Sequence, residues 1–160
     1  MNGALRAFQG QLDRVNGVMA VGSALAIFAA GLVLTWEVIG RYALSIASDW
    51  QDELSTFLLI GATFLSAAWT QARRGHVAID ALAEILPASA DAVRRRLADA
   101  LSALFCGYFS FKTAQLLHEA LEDGQTTPSS WGAPLWIPYS CMTLGMGLLT
   151  LQLLVQVLRR

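Results

Sequence analysis

Apolar runs of membrane-spanning length alternate along this chain with short clusters of charged residues. The runs cover residues 15–36, 54–72, 97–117 and 136–158, and the first two contain no charged side chain. A run of about 20 residues gives roughly 30 Å of helix at ~1.5 Å per residue, which matches the hydrocarbon core of a bilayer. A soluble helix of this length would normally carry a polar stripe. The pattern therefore predicts an all-α membrane protein with four transmembrane helices in a single domain, residues 1–160.

Two segments outside the runs are amphipathic rather than uniformly apolar. Residues 1–14 place apolar side chains at helical spacing beside basic ones, and the loop at 73–96 contains a similar short stretch that ends at Pro87. Such segments are typical of helices that lie on a membrane surface. We expect one short interfacial helix at the N-terminus and another in the 73–96 loop, with a loop at residues 88–91 before the third span.

Basic residues orient the predicted spans, because arginine is retained on the cytoplasmic side of a membrane. Nine of the eleven basic residues fall at the ends that this rule assigns to the cytoplasm: Arg6, Arg14, Arg73, Arg74, Arg94, Arg95, Arg96, Arg159 and Arg160. Four tryptophans independently mark the opposite interface: Trp36, Trp50, Trp131 and Trp136. Both signals place the two termini in the cytoplasm. The net charge of −1 gives no indication of a nucleic-acid partner.

The ionisable residues of the spans are predicted to lie near span ends. Glu37 and Arg41 are one helical turn apart, which predicts an ion pair at the outer end of the first span. Asp99 lies within a turn of the inner arginines. Lys112 is placed about two turns from the outer end of the third span, where a long side chain can extend towards water or pair with an outer acid. An ion or substrate role for Lys112 is the alternative.

The chain lacks the residue patterns of catalysis and of ion coupling. Haem or quinone binding would need paired histidines in the middle of the spans, yet His76 lies in a loop and His118 at a span edge. No phosphate-binding glycine loop, nucleophile elbow or metal-ligand spacing occurs. Cys106 and Cys141 fall at different predicted depths, which argues against a disulfide and a metal site. We predict no enzymatic activity, no metal and no cofactor, and a chain poorly equipped to carry a solute alone.

A set of short motifs recurs in order around the second and fourth spans. These are Arg41-Tyr42, Trp50 with Asp52-Glu53, Arg74-Gly75-His76-Val77, Asp80, Ile137-Pro138-Tyr139 and Gly145. In their order and spacing they resemble the small permease subunit, of the DctQ type, of tripartite ATP-independent periplasmic (TRAP) transporters. The resemblance covers about residues 15–155. Two positions depart from it, because Cys141 stands where an aromatic residue is expected soon after Tyr139 and Leu144 stands where a proline is expected.

The resemblance implies a non-catalytic subunit of a secondary transporter in the bacterial inner membrane. In that family, sodium drives the uptake of organic acids that carry a carboxylate. A large elevator-type permease subunit, of the DctM type, carries the substrate, and a periplasmic binding protein, of the DctP type, delivers it. The small subunit would hold the large one in the bilayer and enlarge the docking surface for the binding protein.

Residue roles follow as expectations. Subunit packing or span anchoring is assigned to Arg41, Trp50, Glu53, His76, Asp80 and Pro138, with Arg41 as the suggested partner of Glu53. Docking of the binding protein is assigned to Asp49, Asp52, Glu119, Glu122 and Asp123, although a solvated loop explains the same acids. Contact with lipid head groups is assigned to Arg73, Arg74, Arg94, Arg95 and Arg96. Two other functions remain open: a self-sufficient homo-oligomeric transporter or channel, and a membrane assembly protein without a transport role.

Overall fold

The computed structural model describes residues 3–43, 50–73 and 87–158 and consists of four α-helices. They are α1 (Gly3–Ala43), α2 (Trp50–Ala72), α3 (Ala88–Glu122) and α4 (Trp136–Leu158). Three stretches are long and apolar enough to cross a membrane: Gln9–Ala43, Trp50–Ala72 and Trp136–Val157. The all-helical prediction is confirmed, and three of the four predicted spans coincide with such helices.

The predicted short helix at the N-terminus is wrong, because the first residues belong to one helix of 41 residues. No proline lies between Gly3 and Ala43, and an interior glycine costs only about 1 kcal/mol, so nothing in this stretch stops the helix. The predicted loop at 88–91 is also wrong. The carbonyl of Pro87 accepts a hydrogen bond from the Ala90 amide at 2.9 Å, and helix α3 begins there. The second amphipathic helix was predicted mainly at 74–86, which lies outside the described residues.

The four helices form an open row in the order α1, α2, α4, α3. Each helix packs along the next one in this order, while α1 touches α4 only slightly and no substantial packing joins α3 to α1 or α2 in the described part of the chain. A closed four-helix bundle would instead bring the first and last members of the row together. The row therefore leaves two broad faces uncovered, and α1 and α3 at its ends each have one main neighbour.

The centre of the row is the close contact between α2 and α4. A Cβ atom at Gly145 would overlap the backbone carbonyl of Phe64 and approach the Phe64 Cβ to 2.8 Å. Four residues earlier, the Cys141 Sγ would lie 3.6 Å from a Cβ at Gly61. Both cysteines of the chain are free. Small residues let two membrane helices approach closely, so glycine at position 145 fixes the distance between α2 and α4.

Helix α3 lies antiparallel to α4. Gly107 lies opposite Thr150, and Gly147 lies opposite Ser110, with hypothetical Cβ distances of 3.7 and 3.8 Å. Each step forward on α3 is therefore one step back on α4. By this register Lys112 lies level with Gly145, the tenth of the 23 residues of α4.

The sequence places Lys112 about two turns from the outer end of its span, and the register puts it about two and a half turns from the end of α4 at Trp136. The first residue of α4, Trp136 at the predicted outer end, is nine residues, or ~14 Å, from Gly145, and its last residue, Leu158, is thirteen residues, or ~20 Å, away. Lys112 therefore lies within a few ångströms of the middle of α4. The sequence alone did not show this, because the predicted third span ended at residue 117 whereas α3 continues to Glu122.

The two end helices extend beyond the central pair at one end of the row. Helix α1 is ~62 Å long and α3 ~53 Å, whereas α2 and α4 measure ~35 Å each. Asn16, near the start of α1, bonds to Gln152, near the end of α4, so α1 and α4 also run antiparallel. Arg41, near the end of α1, lies beside Asp52 at the start of α2, so α1 extends beyond the end of α2. By its register with α4, helix α3 extends beyond Leu158, on the side of the arginines that follow α2 and open α3.

Candidate functional site

A groove between α2 and α4 brings together three of the residues that the sequence singled out. Asp52 and Glu53 from the first turn of α2 lie at its mouth, and Pro138 from the first turn of α4 lies opposite them. The groove holds about 400 Å³, and its deeper wall is apolar, with Phe57 and Met142 among its residues. It opens at the predicted outer side of the row.

Glu53 ties the connection between α3 and α4 to the start of α2. The Thr127 hydroxyl donates a hydrogen bond to Glu53 Oε2 at 2.8 Å and accepts one from the Ala133 amide at 2.9 Å. The Thr127 amide in turn donates to the Ala133 carbonyl at 2.8 Å. One hydroxyl thus joins two sides of the loop and a carboxylate on another helix.

The loop between α3 and α4 forms a hydrogen-bonded turn. The Ser129 hydroxyl accepts hydrogen bonds from the amides of Trp131 and Gly132 at 3.2 and 3.4 Å. Gly132 and Gly124 have φ angles of 60° and 61°, which are strained for other residues, so glycine is required at both ends of the turn. The side chain of Trp131 is exposed at the tip.

Arg41 pairs with one of its two expected partners and not with the other. Its guanidinium pairs with Glu37 on the preceding turn of α1, which confirms the i, i+4 ion pair. It also lies 3.9 Å from Asp52 Oδ2 on α2, and the Glu53 carboxylate instead receives the Thr127 hydroxyl. The suggested Arg41–Glu53 pairing is therefore wrong. Because Asp52 is 64% exposed, its contact with Arg41 contributes little to the stability of the row.

The predicted docking acids form two separate patches. Glu119 and Glu122 are exposed at the end of α3, and Glu122 lies 3.4 Å from His118. Asp123 caps the helix and accepts a hydrogen bond from Gln125 at 3.1 Å. Asp52 lies on α2, with α4 between it and this patch, and Asp49 is outside the described residues.

The described arginines that were assigned to lipid contact are at the end of the row opposite to the groove. The Arg73 guanidinium stacks over the Trp69 ring at 4.5 Å from its centroid, and Arg94 and Arg96 belong to the extension of α3. The described residues do not include Arg74, His76 or Asp80, nor the side chain of Arg95. Trp50 opens α2 with a half-exposed ring at the other end.

Buried amides join three helices near the arginine end, and sequence reasoning missed them. Asn16 is fully buried and donates to Gln152 at 3.3 Å, while its Oδ1 has no partner among the described residues. One turn further on, Gln71 donates to the Gln156 side chain at 3.0 Å, and Gln156 donates back to the Gln71 carbonyl at 3.0 Å. The only sequence signal was the presence of amides inside apolar runs.

Thr127 was also missed, since a threonine in a polar loop carries no signal of its own. Its partner Glu53 was singled out only through its position at the start of the second span. The contact joins residues 74 positions apart, which no local pattern reveals.

Comparison with known families gives one match. Residues 30–160 match the family model described as tripartite ATP-independent periplasmic transporters, DctQ component. The matched region begins within α1 and includes α2, α3 and α4. Comparisons with curated proteins and with solved structures gave no match.

Proposed function

The chain belongs to the DctQ family of tripartite ATP-independent periplasmic transporters, and from this membership we propose that it is the small membrane subunit of a sodium-coupled uptake system for a carboxylate-bearing organic acid. The match over residues 30–160 is the observation that carries the proposal. Family membership makes the chain a transporter component. Its apolar helices make it an integral membrane protein.

We place the chain in the bacterial inner membrane with α3 as a fourth span and both termini in the cytoplasm. The hydropathy of α3 does not identify it as a span, but its register along α4 supports the placement, since two helices packed side by side occupy the same depth. The arginines at one end of the row support the orientation under the positive-inside rule.

In this proposal the subunit is a scaffold for a larger permease subunit of the DctM type. The open row supports this role, because the described helices enclose no central path and their faces expose many large apolar side chains. Substrate and sodium would move through the larger subunit. The small subunit would hold the static part of that partner in the bilayer.

The acidic patches at the outer end are proposed to meet a periplasmic binding protein of the DctP type. Rim charges mainly change the rate of encounter, so neutralising Asp49, Asp52, Glu119, Glu122 and Asp123 together should slow uptake at low salt and flatten its salt dependence. Unchanged uptake and unchanged salt dependence would show that these acids do not dock the binding protein.

Glu53 is proposed to hold the outer loop in the form that the partner subunits recognise. Replacing Glu53 with Gln removes the charge that accepts the Thr127 hydroxyl, and we expect reduced co-purification with the large subunit and reduced uptake. If Glu53→Gln leaves co-purification and uptake at the wild-type level, Glu53 has no role beyond anchoring the loop between α3 and α4 to α2.

Reconstitution in proteoliposomes tests the proposed function as a whole. We expect sodium-driven uptake only when this chain, the large subunit and the binding protein are all present. Omitting any one component should abolish uptake. Uptake by this chain alone would contradict the proposal and support a self-sufficient transporter.

A further inference from the structure

Helix α3 is the one described helix that is not apolar enough to qualify as a span, although it lies along the full length of α4. Charged residues at its start, Arg94 to Arg96 and Asp99, lower its hydropathy, and a row of polar residues further along lies on one exposed side. Lys112, Gln115 and Glu119 follow one another at spacings of three and four residues, so they share one helix face. The residues that α3 buries include Ala103 and Thr113, which lie on other faces of the helix. The polar face is therefore directed away from α4.

Lys112 lies at the deepest point of this face. It is level with Gly145, ~14 Å from one end of α4 and ~20 Å from the other, and a bilayer core is ~30 Å thick. Its ammonium donates a hydrogen bond to Gln115 Oε1 at 2.9 Å, and the side chain is otherwise exposed. A charged group at this depth is costly to place against lipid.

Extension of the side chain towards the membrane surface lowers this cost without removing it. The level of Lys112 is ~14 Å from the predicted outer end of α4, so a lysine side chain covers only part of the distance. The Gln115 amide lies only one turn closer to that end. Among the described residues the ammonium therefore has a neutral acceptor, Gln115, and no carboxylate within ion-pair distance.

We propose that the polar face of α3, formed by Lys112, Gln115 and Glu119, is covered by a membrane helix of the large permease subunit that presents a carboxylate to Lys112. This inference rests on the proposed function, because it takes its partner from the transporter complex. It names the contact face that family membership leaves open. Charge complementarity selects the occupant: a cation at mid-depth pairs with an anionic side chain of another span.

Two other occupants do not satisfy Lys112. Lipid phosphates lie at the bilayer surface, ~14 Å or more from this depth. A second copy of the chain related by a two-fold axis along the membrane normal would place Lys112 against its own counterpart, since such interfaces use the same patch twice. Two ammonium groups would then repel each other.

The chemistry of the chain allows a direct test, because Lys112 is its only lysine. Carbodiimide activation of the intact complex in nanodiscs couples a carboxylate to an amine that touches it, with formation of an amide bond and release of the urea. We expect peptide mapping to find an amide between Lys112 Nζ and an aspartate or glutamate in a span of the large subunit. Coupling to a second copy of this chain, or no coupling at Lys112, would overturn the inference.

Substitutions provide the second readout. Lys112→Met leaves the partner carboxylate without its cation, and we expect co-purification of the large subunit to fall by about tenfold or more, as for the loss of one member of a desolvated charge pair. Lys112→Arg keeps the charge and should retain most of the complex. The folded yield of each variant without the large subunit should equal that of the wild type, since Lys112 is exposed in the row.

Failure of this inference and failure of the proposed function give different results. If the wild-type chain does not co-purify with the large subunit, the proposed function is wrong. If it does and Lys112→Met binds equally well, the contact face is wrong while the proposed function stands.

Discussion

The central pair of helices and the two end helices of this row are built on different principles. Helices α2 and α4 are short and meet through glycine and backbone, so that Gly145 leaves no room for another atom beside Phe64. Helices α1 and α3 are long and keep large apolar side chains such as Phe28 and Leu104 exposed. The central helices bury their contact surfaces against each other. The end helices leave apolar surfaces that lipid or a partner protein must cover.

This difference indicates which residues should determine the stability of the chain and which should determine its association with a partner. A close helix contact is sensitive to one added methyl group, because packed interiors adjust little. An exposed helix face in a membrane tolerates such changes unless a partner covers it. Substitutions in the centre should therefore change the free energy of unfolding, and substitutions on the polar face of α3 should change assembly.

The largest effect is expected at the centre. Gly145→Ala forces a methyl group into the Phe64 carbonyl, which is backbone and cannot rotate away, so α2 and α4 must separate. We expect the free energy of unfolding in mixed micelles to fall by about 3 kcal/mol. Gly147→Ala is the matched control, since its Cβ meets only the Ser110 hydroxyl at 3.8 Å. Equal stability of the two variants would remove the distinction between the centre and the ends.

The second effect concerns the link between the centre and the outer loop. Thr127→Val removes the hydroxyl that joins Glu53 to the Ala133 amide, and we expect a loss of about 1–3 kcal/mol together with faster proteolysis of the loop. Thr126→Val changes an exposed neighbour in the same turn and should behave as the wild type. If both valine variants resist proteolysis alike, the Thr127 hydroxyl does not hold the loop.

The third effect sharpens the comparison at the contact of α1 with α4. Asn16→Leu leaves the buried Gln152 Oε1 without its donor, and Gln152→Leu leaves the buried Asn16 amide group without its acceptor. We expect each single change to cost about 1 kcal/mol, and the double variant to cost less than their sum, because coupling between polar groups in membranes averages ~0.6 kcal/mol. Strict additivity in this double-mutant cycle would show that the two amides do not interact.

The smallest effect is expected at the exposed rim of α3. His118→Gln removes the contact with Glu122, whose side chain is 66% exposed, and we expect stability to change by no more than about 0.5 kcal/mol. Thermal unfolding in detergent measures this. A loss as large as that of Gly145→Ala would mean that the end of α3 is packed rather than free.

The sequence predicted where most helices begin and end, but not which helices pack against each other. The last span was predicted to begin near Trp136, and α4 begins there, because prolines at 134 and 138 suit the first turn of a helix. Run lengths say how far each helix extends across a membrane, but not which helices touch. The order α1, α2, α4, α3 and the depth of Lys112 follow from contacts between distant residues, and apolar runs do not encode them.

The residues of the candidate site were predicted only in part, because some of them are linked by contacts between distant positions. Asp52, Glu53 and Pro138 were singled out by their positions at the starts of spans and by the family resemblance, and the structure places all three on one groove. The Thr127 hydroxyl and the amides of Asn16 and Gln152 gave no local signal. Their roles arise only when the helices meet.

The distance between α1 and α3 tests the open row most directly. Spin labels at Leu25→Cys and Phe111→Cys, both exposed in the wild-type chain, report this distance by pulsed electron resonance when Cys106 and Cys141 are replaced by alanine. Three helix spacings of 8–10 Å predict roughly 24–30 Å between the axes of α1 and α3. A closed bundle would give about 14 Å or less, and a distance in that lower range would contradict the account.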